Sequence, residues 1–312
     1  MRYLILLCVC AVLPAQIRVG IIGTDTSHVP AFTKMLNDST APNYIPGARV
    51  VAAYKGGSKD IEHSISRVDG YTTEISTKYG VEIVPDIPTL LRKVDAVMLM
   101  SVDGRPHLEQ ARPVIAAHKI LFIDKPLAAS YEDAKEIARL AREAGVPWFS
   151  ASSLRWSEIT ETMKFDDARS VMTWGPGPLE EHHNQLDLTW YAIHPIELLY
   201  TLLGPGCEEV ARIETPDGDL ITGKWKGGRT GAVQTLKPYG TYGAVVFRVG
   251  GKVAQSPVKP RAGYEELVKQ IVKFFETKRP PVPNDETLEL FAFMEAAQRS
   301  KAAAGAPMKL RH

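Results

Sequence analysis

Cysteine is scarce in this 312-residue chain: Cys8, Cys10 and Cys207 are the only three. Two of them fall within the first 15 residues, so the body of the chain holds one thiol. Neither an internal disulfide framework nor a cysteine metal site can be built from it. A dominant charge is missing too. Lysine and arginine total 37 against 36 acids, a formal net charge of +1. No strong field draws the chain to nucleic acid or to an anionic membrane. The apolar run at residues 3–13 is shorter than the about 20 residues needed to span a bilayer. Repeats, low-complexity tracts and long charge runs are absent. Hydrophobic residues make up 45% and charged residues 23%, as in an ordinary soluble globular protein, and the length suits two modest domains.

The short apolar run has its own reading. Met1-Arg2 is a minimal positive start, and Pro14-Ala15-Gln16 could hold a cleavage site. Residues 1–15 are therefore expected to be a signal peptide, and the mature chain to be exported, periplasmic or secreted. Without a twin-arginine pair, export is expected to proceed unfolded through the general pathway. A chain exported unfolded cannot carry a nicotinamide cofactor with it.

Strand and helix signals alternate from residue 16 to 149. Apolar strand runs are expected at 17–23, 49–54, 81–84, 95–100, 119–123 and 147–149, with helical patterns near 30–37, 87–92, 106–117 and 132–144. Nearly unbroken apolar runs such as Ala96-Val97-Met98-Leu99-Met100 are typical of parallel strands covered on both faces. The alternation implies an α/β domain with a doubly wound parallel Rossmann sheet. From 150 to 312 the pattern changes. Strand runs at 170–174, 209–214, 230–236 and 244–249 surround one apolar helix at 191–203, and two amphipathic helices follow at 264–277 and 287–303. That pattern predicts an α+β domain with a largely antiparallel open sheet.

The first strand ends in Gly20-Ile21-Ile22-Gly23, where a dinucleotide-binding fold places G-x-G-x-x-G. Gly23 can be the first glycine. Asp25 stands at the second position and His28 at the third. A carboxylate beside a pyrophosphate repels it, and its side chain fills the space that a glycine leaves open. Thr24, Asp25, Thr26, Ser27 and His28 are more hydrogen-bonding groups than helix capping needs. They could bind a sugar hydroxyl or, with His107 or His194, a metal ion, although no metal ligand set is assigned.

Three segments together resemble the Gfo/Idh/MocA family of glucose–fructose oxidoreductase, inositol dehydrogenase and relatives. They are the glycine turn, the run from Arg105-Pro106-His107-Leu108 to Ile123-Asp124-Lys125-Pro126-Leu127-Ala128, and Tyr191-Ala192-Ile193-His194-Pro195-Ile196-Glu197 with Leu203-Gly204 after it. The resemblance implies a Rossmann domain followed by an open-sheet domain, with the active site between them. It implies NAD or NADP as cofactor, a sugar, polyol or derivative as substrate, and a dimer or tetramer. Lys125 would point at the reacting hydroxyl and His194 would act as acid/base. Asp124 replaces the usual glutamate, Trp190 stands in place of the family's aspartate, and Lys55 falls where an acid would hold the ribose, which is compatible with a 2′-phosphate.

The expected catalytic pair is therefore Lys125 and His194. The expected cofactor set is Gly20, Gly23, Thr24, Asp25, Thr26, His28, Lys55, Ser101 and Asp124. The expected substrate set is His107, His182, His183 and Tyr191. Two functional readings compete. One is an oxidoreductase acting on CH–OH groups of a carbohydrate. The other is a non-redox lyase, hydratase or glycosidase, or a sugar-binding protein, that has lost the dinucleotide.

Overall fold

Six parallel strands make the first sheet of the computed structural model, which describes residues 16–177 and 186–311. They are β1 (Ile17–Ile22), β2 (Ala48–Tyr54), β3 (Glu82–Val84), β4 (Ala96–Leu99), β5 (Ile120–Ile123) and β6 (Trp148–Ser150), in the spatial order β3-β2-β1-β4-β5-β6. The helices between them are α1 (His28–Asn37), α2 (Glu62–Ile65), α3 (Val68–Tyr79), α4 (Ile87–Leu91), α5 (His107–Ala116) and α6 (Tyr131–Ala144). All residues of β4 and β5 are buried, which is why these strands are apolar without alternation. Local rules set the helix ends. The Ser130 hydroxyl accepts the Asp133 N–H at 3.0 Å and starts α6, and Gly145 ends it at φ 64°.

The strand order reverses between β1 and β4. In sheets of this kind the ligand crevice lies outside the carboxyl ends of the strands, at that switch point. The second sheet closes the crevice from the other side. After α7 (Glu158–Met163) come β7 (Ala168–Pro176), α8 (Ile193–Leu203), β8 (Cys207–Thr215), β9 (Gly218–Trp225), β10 (Arg229–Leu236), β11 (Gly243–Arg248) and β12 (Val253–Gln255). Then follow α9 (Glu265–Thr277), α10 (Asn284–Ala302) and β13 (Met308–Lys309). The order is β12-β11-β7-β10-β9-β8-β13; β7 and β10 are parallel and every other neighbouring pair is antiparallel.

Apolar burial ties the two sheets together. One core runs from Val97 and Leu121 through Ile137 to Leu199, Trp225 and Phe293. The other covers the opposite face of the first sheet with Phe32, Phe122, Phe149 and Phe274. Thus α9 packs against α1, and α10 lies on α6 and β8. Among the described residues no helix is long and apolar enough to cross a membrane.

Several elements go beyond the strand and helix runs read from sequence, α3 and β9 being the longest. Helix α3 buries only Ile75 fully and carries Gly70, Thr72, Thr73 and Thr77, so it shows no apolar stripe. Strand β9 is broken up in sequence by Asp219, Gly223 and Lys224, and its place is fixed by pairing with β8 and β10.

Candidate active site

Gly23 is at φ +85°, and a Cβ there would lie 2.3 Å from Ser101 Oγ and 2.5 Å from its backbone nitrogen. Only glycine lets the ends of β1 and β4 approach this closely. Gly20 serves packing instead: a Cβ there would lie 2.7 Å from Leu90 Cδ2. Beyond Gly23 the turn is bound to its own chain. The Gly23 N–H donates to Tyr54 O and the Thr24 N–H to Lys55 O, both at 2.9 Å. The Thr24 hydroxyl lies 3.1 Å from Lys55 O and 2.6 Å from the Thr72 hydroxyl. Asp25 is 0% exposed. Its Oδ1 accepts the Val102 N–H at 3.0 Å, and its Oδ2 accepts the Ser64 hydroxyl at 2.6 Å.

Ser64 belongs to residues 57–67, a strap that leaves β2 and crosses the ends of β1 and β4. The Ser58 hydroxyl donates to Asp103 Oδ2 at 2.6 Å, and the Ser58 N–H donates to Ser64 Oγ at 2.8 Å. Arg105 joins the strap to the β4 loop, with one fork on Asp60 at 2.7 and 2.8 Å and its Nε 3.0 Å from Asp103. Ile61, 1% exposed, packs with Val102 and Trp190, and the His63 ring stands edge-on to Trp190 at 5.8 Å. The strap thus lies over the switch point of the sheet. Two turn amides are engaged by carbonyls, a carboxylate sits beside them, and the groove above holds the protein's own chain. These residues do not fit a dinucleotide laid across β1 and β4.

Beside the strap a cavity of about 390 Å³ remains open. Helix α1 and the turn before it bring Thr26, Ser27 and His28 to it, the end of β5 brings Lys125, and α8 with the turn before it brings Tyr191 and His194. Tyr239, Tyr242 and Tyr264 come from the second half of the chain, and His63 and Arg67 from the strap. His28 Nδ1 lies 2.7 Å from Asp124 Oδ2, and the ring is stacked on Phe32 at 5.3 Å and edged by Tyr264 at 4.6 Å. With Nδ1–H donating to a carboxylate, the neutral ring keeps Nε2 as an acceptor. Burial opposes charge on Asp124, but His28 and then Lys125 outweigh it and hold the carboxyl below its ordinary value.

Lys125 has the reverse balance. Burial lowers its pKa, and Asp124 offsets that only in part. Its Nζ lies 5.6 Å from the Tyr191 ring centre and has no hydrogen-bond or ion-pair partner among the described residues. Burial pushes His194 well below the ordinary histidine value, helped by the nearby Lys125 ammonium, so it is neutral near pH 7. Ser152 Oγ, which accepts the Leu154 N–H, lies 2.8 Å from His194 Nδ1. The Ser152 hydroxyl keeps its proton for Nδ1, and in the tautomer that accepts it His194 presents Nε2–H as a donor. Ser152 is held in turn by its N–H to Glu197 at 2.8 Å, and Glu197 accepts from Arg155 at 2.5 Å.

The expected residues thus divide. Thr26, His28, Lys125, Tyr191 and His194 line one cavity, with Asp124 directly behind His28. Lys55 pairs with Asp69 at 2.5 Å, and the Ser101 hydroxyl donates to Gln110 at 2.9 Å. His107 is 0% exposed, with its ring nitrogens 3.2 Å from Leu127 O and 2.9 Å from Ser101 O. It braces the β4 and β5 loops and is not part of the cavity. His182 and His183 lie outside the described residues. Burial pushes the Cys207 thiol up to about 12, so no thiolate is on offer. A larger groove of about 780 Å³ between α5, α6 and α10 holds none of these candidates. Sequence reasoning passed over Arg67, Tyr239, Tyr242, Tyr264 and Ser152, whose segments carry no motif.

A Rossmann-type sheet and a second, largely antiparallel sheet thus enclose a cavity lined by acid–base groups. Residues 17–152 match the family model GFO_IDH_MocA, described as an oxidoreductase family with an NAD-binding Rossmann fold. No curated protein sequence matches the chain. Among solved structures it is similar to myo-inositol dehydrogenase from Lactobacillus casei in complex with NAD(H) and myo-inositol. The identity is 19% and the TM-score 0.73, over 95% of this chain and 97% of that one. GenD2 from gentamicin A biosynthesis, in complex with NAD, is similar at 16% identity and TM-score 0.72, over 95% of this chain and 97% of that one. An oxidoreductase from Agrobacterium radiobacter, in complex with NAD+, L-tartaric acid and magnesium, is similar at 15% identity and TM-score 0.70, over 94% and 98%. At such identities the likeness is one of fold.

Proposed function

We propose that the chain is an enzyme that acts on a sugar, polyol or derivative by proton transfer in the 390 Å³ cavity, with no nicotinamide in the groove. His28, oriented by Asp124, is the base. Lys125 shuttles the proton of the reacting hydroxyl, and His194 Nε2–H donates to the oxygen on which charge develops. The tyrosines supply amphipathic faces suited to a polyhydroxylated ring. Isomerisation, elimination and hydration are reactions that such a set can run without a hydride acceptor. The observation that carries this reading is the pairing of Asp25 with Ser64 and Val102 under the strap. The family description favours a second reading, an NAD- or NADP-dependent sugar dehydrogenase, which requires the strap to leave the crevice. Further parts of the proposal are export directed by residues 1–15, which suits a cofactor-free enzyme, and assembly as a dimer or tetramer.

The test uses residues 16–312. Tm is measured with NAD, NADH, NADP and NADPH, and the denatured supernatant is checked for released nucleotide. In parallel, sugar conversion without nicotinamide is followed by NMR. No shift, no released nucleotide and cofactor-free turnover are expected. A clear rise in Tm with any of the four, or a nucleotide that co-purifies, overturns the reading in favour of the dehydrogenase.

A further inference from the structure

The strap does more than fill the groove, because it ends in Arg67 on the cavity wall. The other buried or half-buried guanidinium groups nearby are each held by carboxylates. Arg105 is clamped by Asp60 and Asp103, and Arg155 by Glu197 and Glu286. The Arg67 guanidinium has no such partner among the described residues, and neither has the Lys125 ammonium. Two cations and the ring of His28 therefore share one small cavity. Among its described lining residues there is no aspartate or glutamate. Asp124, behind His28, is 1% exposed and engaged by it. A cation without a counter-ion in a partly desolvated space is costly, and a neutral polyol supplies no counter-charge.

We infer that the substrate of this site is a carboxylated sugar, a uronate or aldonate of monosaccharide size, whose carboxylate is taken by Arg67 and Lys125. The inference rests on the cofactor-free reading of the same cavity and names its substrate class. A carboxylate matches the planar fork of arginine and can accept two parallel hydrogen bonds from it. The fork also suits phosphate, but the backbone amides that often cradle one are taken here, those of Gly23 and Thr24 being bonded to Tyr54 and Lys55. The volume of about 390 Å³ lies near the lower end of the about 300–1,000 Å³ usual for small-molecule pockets, so the ligand is a single sugar ring rather than a chain. The same strap thus covers the groove over β1 and β4 and supplies an anion site.

Calorimetry on residues 16–312 with glucuronate, galacturonate and gluconate, against glucose, galactose, myo-inositol and glucose 6-phosphate, tests this. The acids should bind at least tenfold tighter than their neutral counterparts, and added salt should weaken them. Arg67→Met should lower acid affinity about 10- to 100-fold, as expected for a lost bond to a charged group, and leave neutral sugars unchanged. Arg67→Lys should restore part of the loss. Equal affinity for acid and neutral sugars, no response to the acids, preference for the phosphate ester, or acid binding unchanged in a folded Arg67→Met protein would each overturn it. Failure of the cofactor-free reading is distinct, because it appears as nucleotide binding whatever the sugar preference.

Discussion

The two halves of the crevice use similar side chains in opposite ways. Over β1 and β4, Asp25, Ser58, Asp60, Ser64, Asp103 and Arg105 satisfy one another. Beside them, the Arg67 and Lys125 cations face a cavity without ion-pair partners among the described residues. Buried polar groups in a folded protein are nearly always paired, so a paired set is explained by the fold alone. A charged set left open has no structural return and marks where a ligand completes the bonding. Substitutions should therefore act mainly on stability in the first half and mainly on turnover in the second.

The largest effect is expected at Lys125. Lys125→Met should lower kcat by about 10²–10⁴-fold, the usual range for a lost acid–base group. Tm should hold or rise, because a desolvated ammonium is replaced by an apolar chain of similar length. Turnover measured beside a thermal melt decides it. A large fall in Tm with kcat unchanged would place Lys125 with the structural half and break the comparison.

Asp25 should behave in the reverse way. Asp25→Ala leaves the Val102 amide and the Ser64 hydroxyl without their acceptor, at a cost of about 3 kcal/mol in urea unfolding. Asp25→Gly should cost as much and still gain no NADH affinity by fluorescence titration, since residues 57–67 remain in the groove. Shortening the strap together with Asp25→Gly sharpens the point: NADH binding by the double variant alone would show that the rest of the cradle is intact.

A smaller effect is expected at Ser152, which touches no substrate and acts by positioning His194. Ser152→Ala should reduce kcat about tenfold with little change in KM and should shift the acid limb of the pH–rate profile. Ser152→Thr, which keeps the hydroxyl, should recover most of the loss. A purely structural role would lower Tm without moving the pH profile.

These pairings also show where sequence stops being legible. The six parallel strands, Lys125 before its proline and His194 on an apolar helix could all be read, because each depends on residues close in the chain. Asp25 could be read as an anomaly in a glycine turn, but the Ser64 and Val102 that explain it are 39 and 77 residues away. His28 and Asp124 are separated by 96 residues and belong to two different motifs, a cofactor turn and a strand end. The strap has no periodicity, since its conformation is set by serines and carboxylates that meet only after β2 and β4 have paired with β1. Local pattern fixed the scaffold, and long-range pairing decided which half of the crevice stayed open.

The finest contrast lies between two histidines, one in each environment. Burial lowers the pKa of both His107 and His194 below the ordinary 6.5. In the unfolded chain each titrates near 6.5. Below that pH the unfolded state takes up protons that the folded state refuses, so stability is intact above pH 6.5 and is lost as pH falls, by at most about 1.4 kcal/mol per pH unit for each group. Melts between pH 7.5 and 5 should show this slope. His107→Asn and His194→Asn should each flatten it. An acidic ligand should separate them: an anion beside Lys125 cancels part of the field that depresses His194, so bound glucuronate should reduce the slope in wild type and in His107→Asn, but not in His194→Asn. His107 is braced by two carbonyls behind the cavity wall, and its share should be the same with and without ligand. If glucuronate altered the slope of His194→Asn instead, the boundary between the closed and open halves would lie elsewhere.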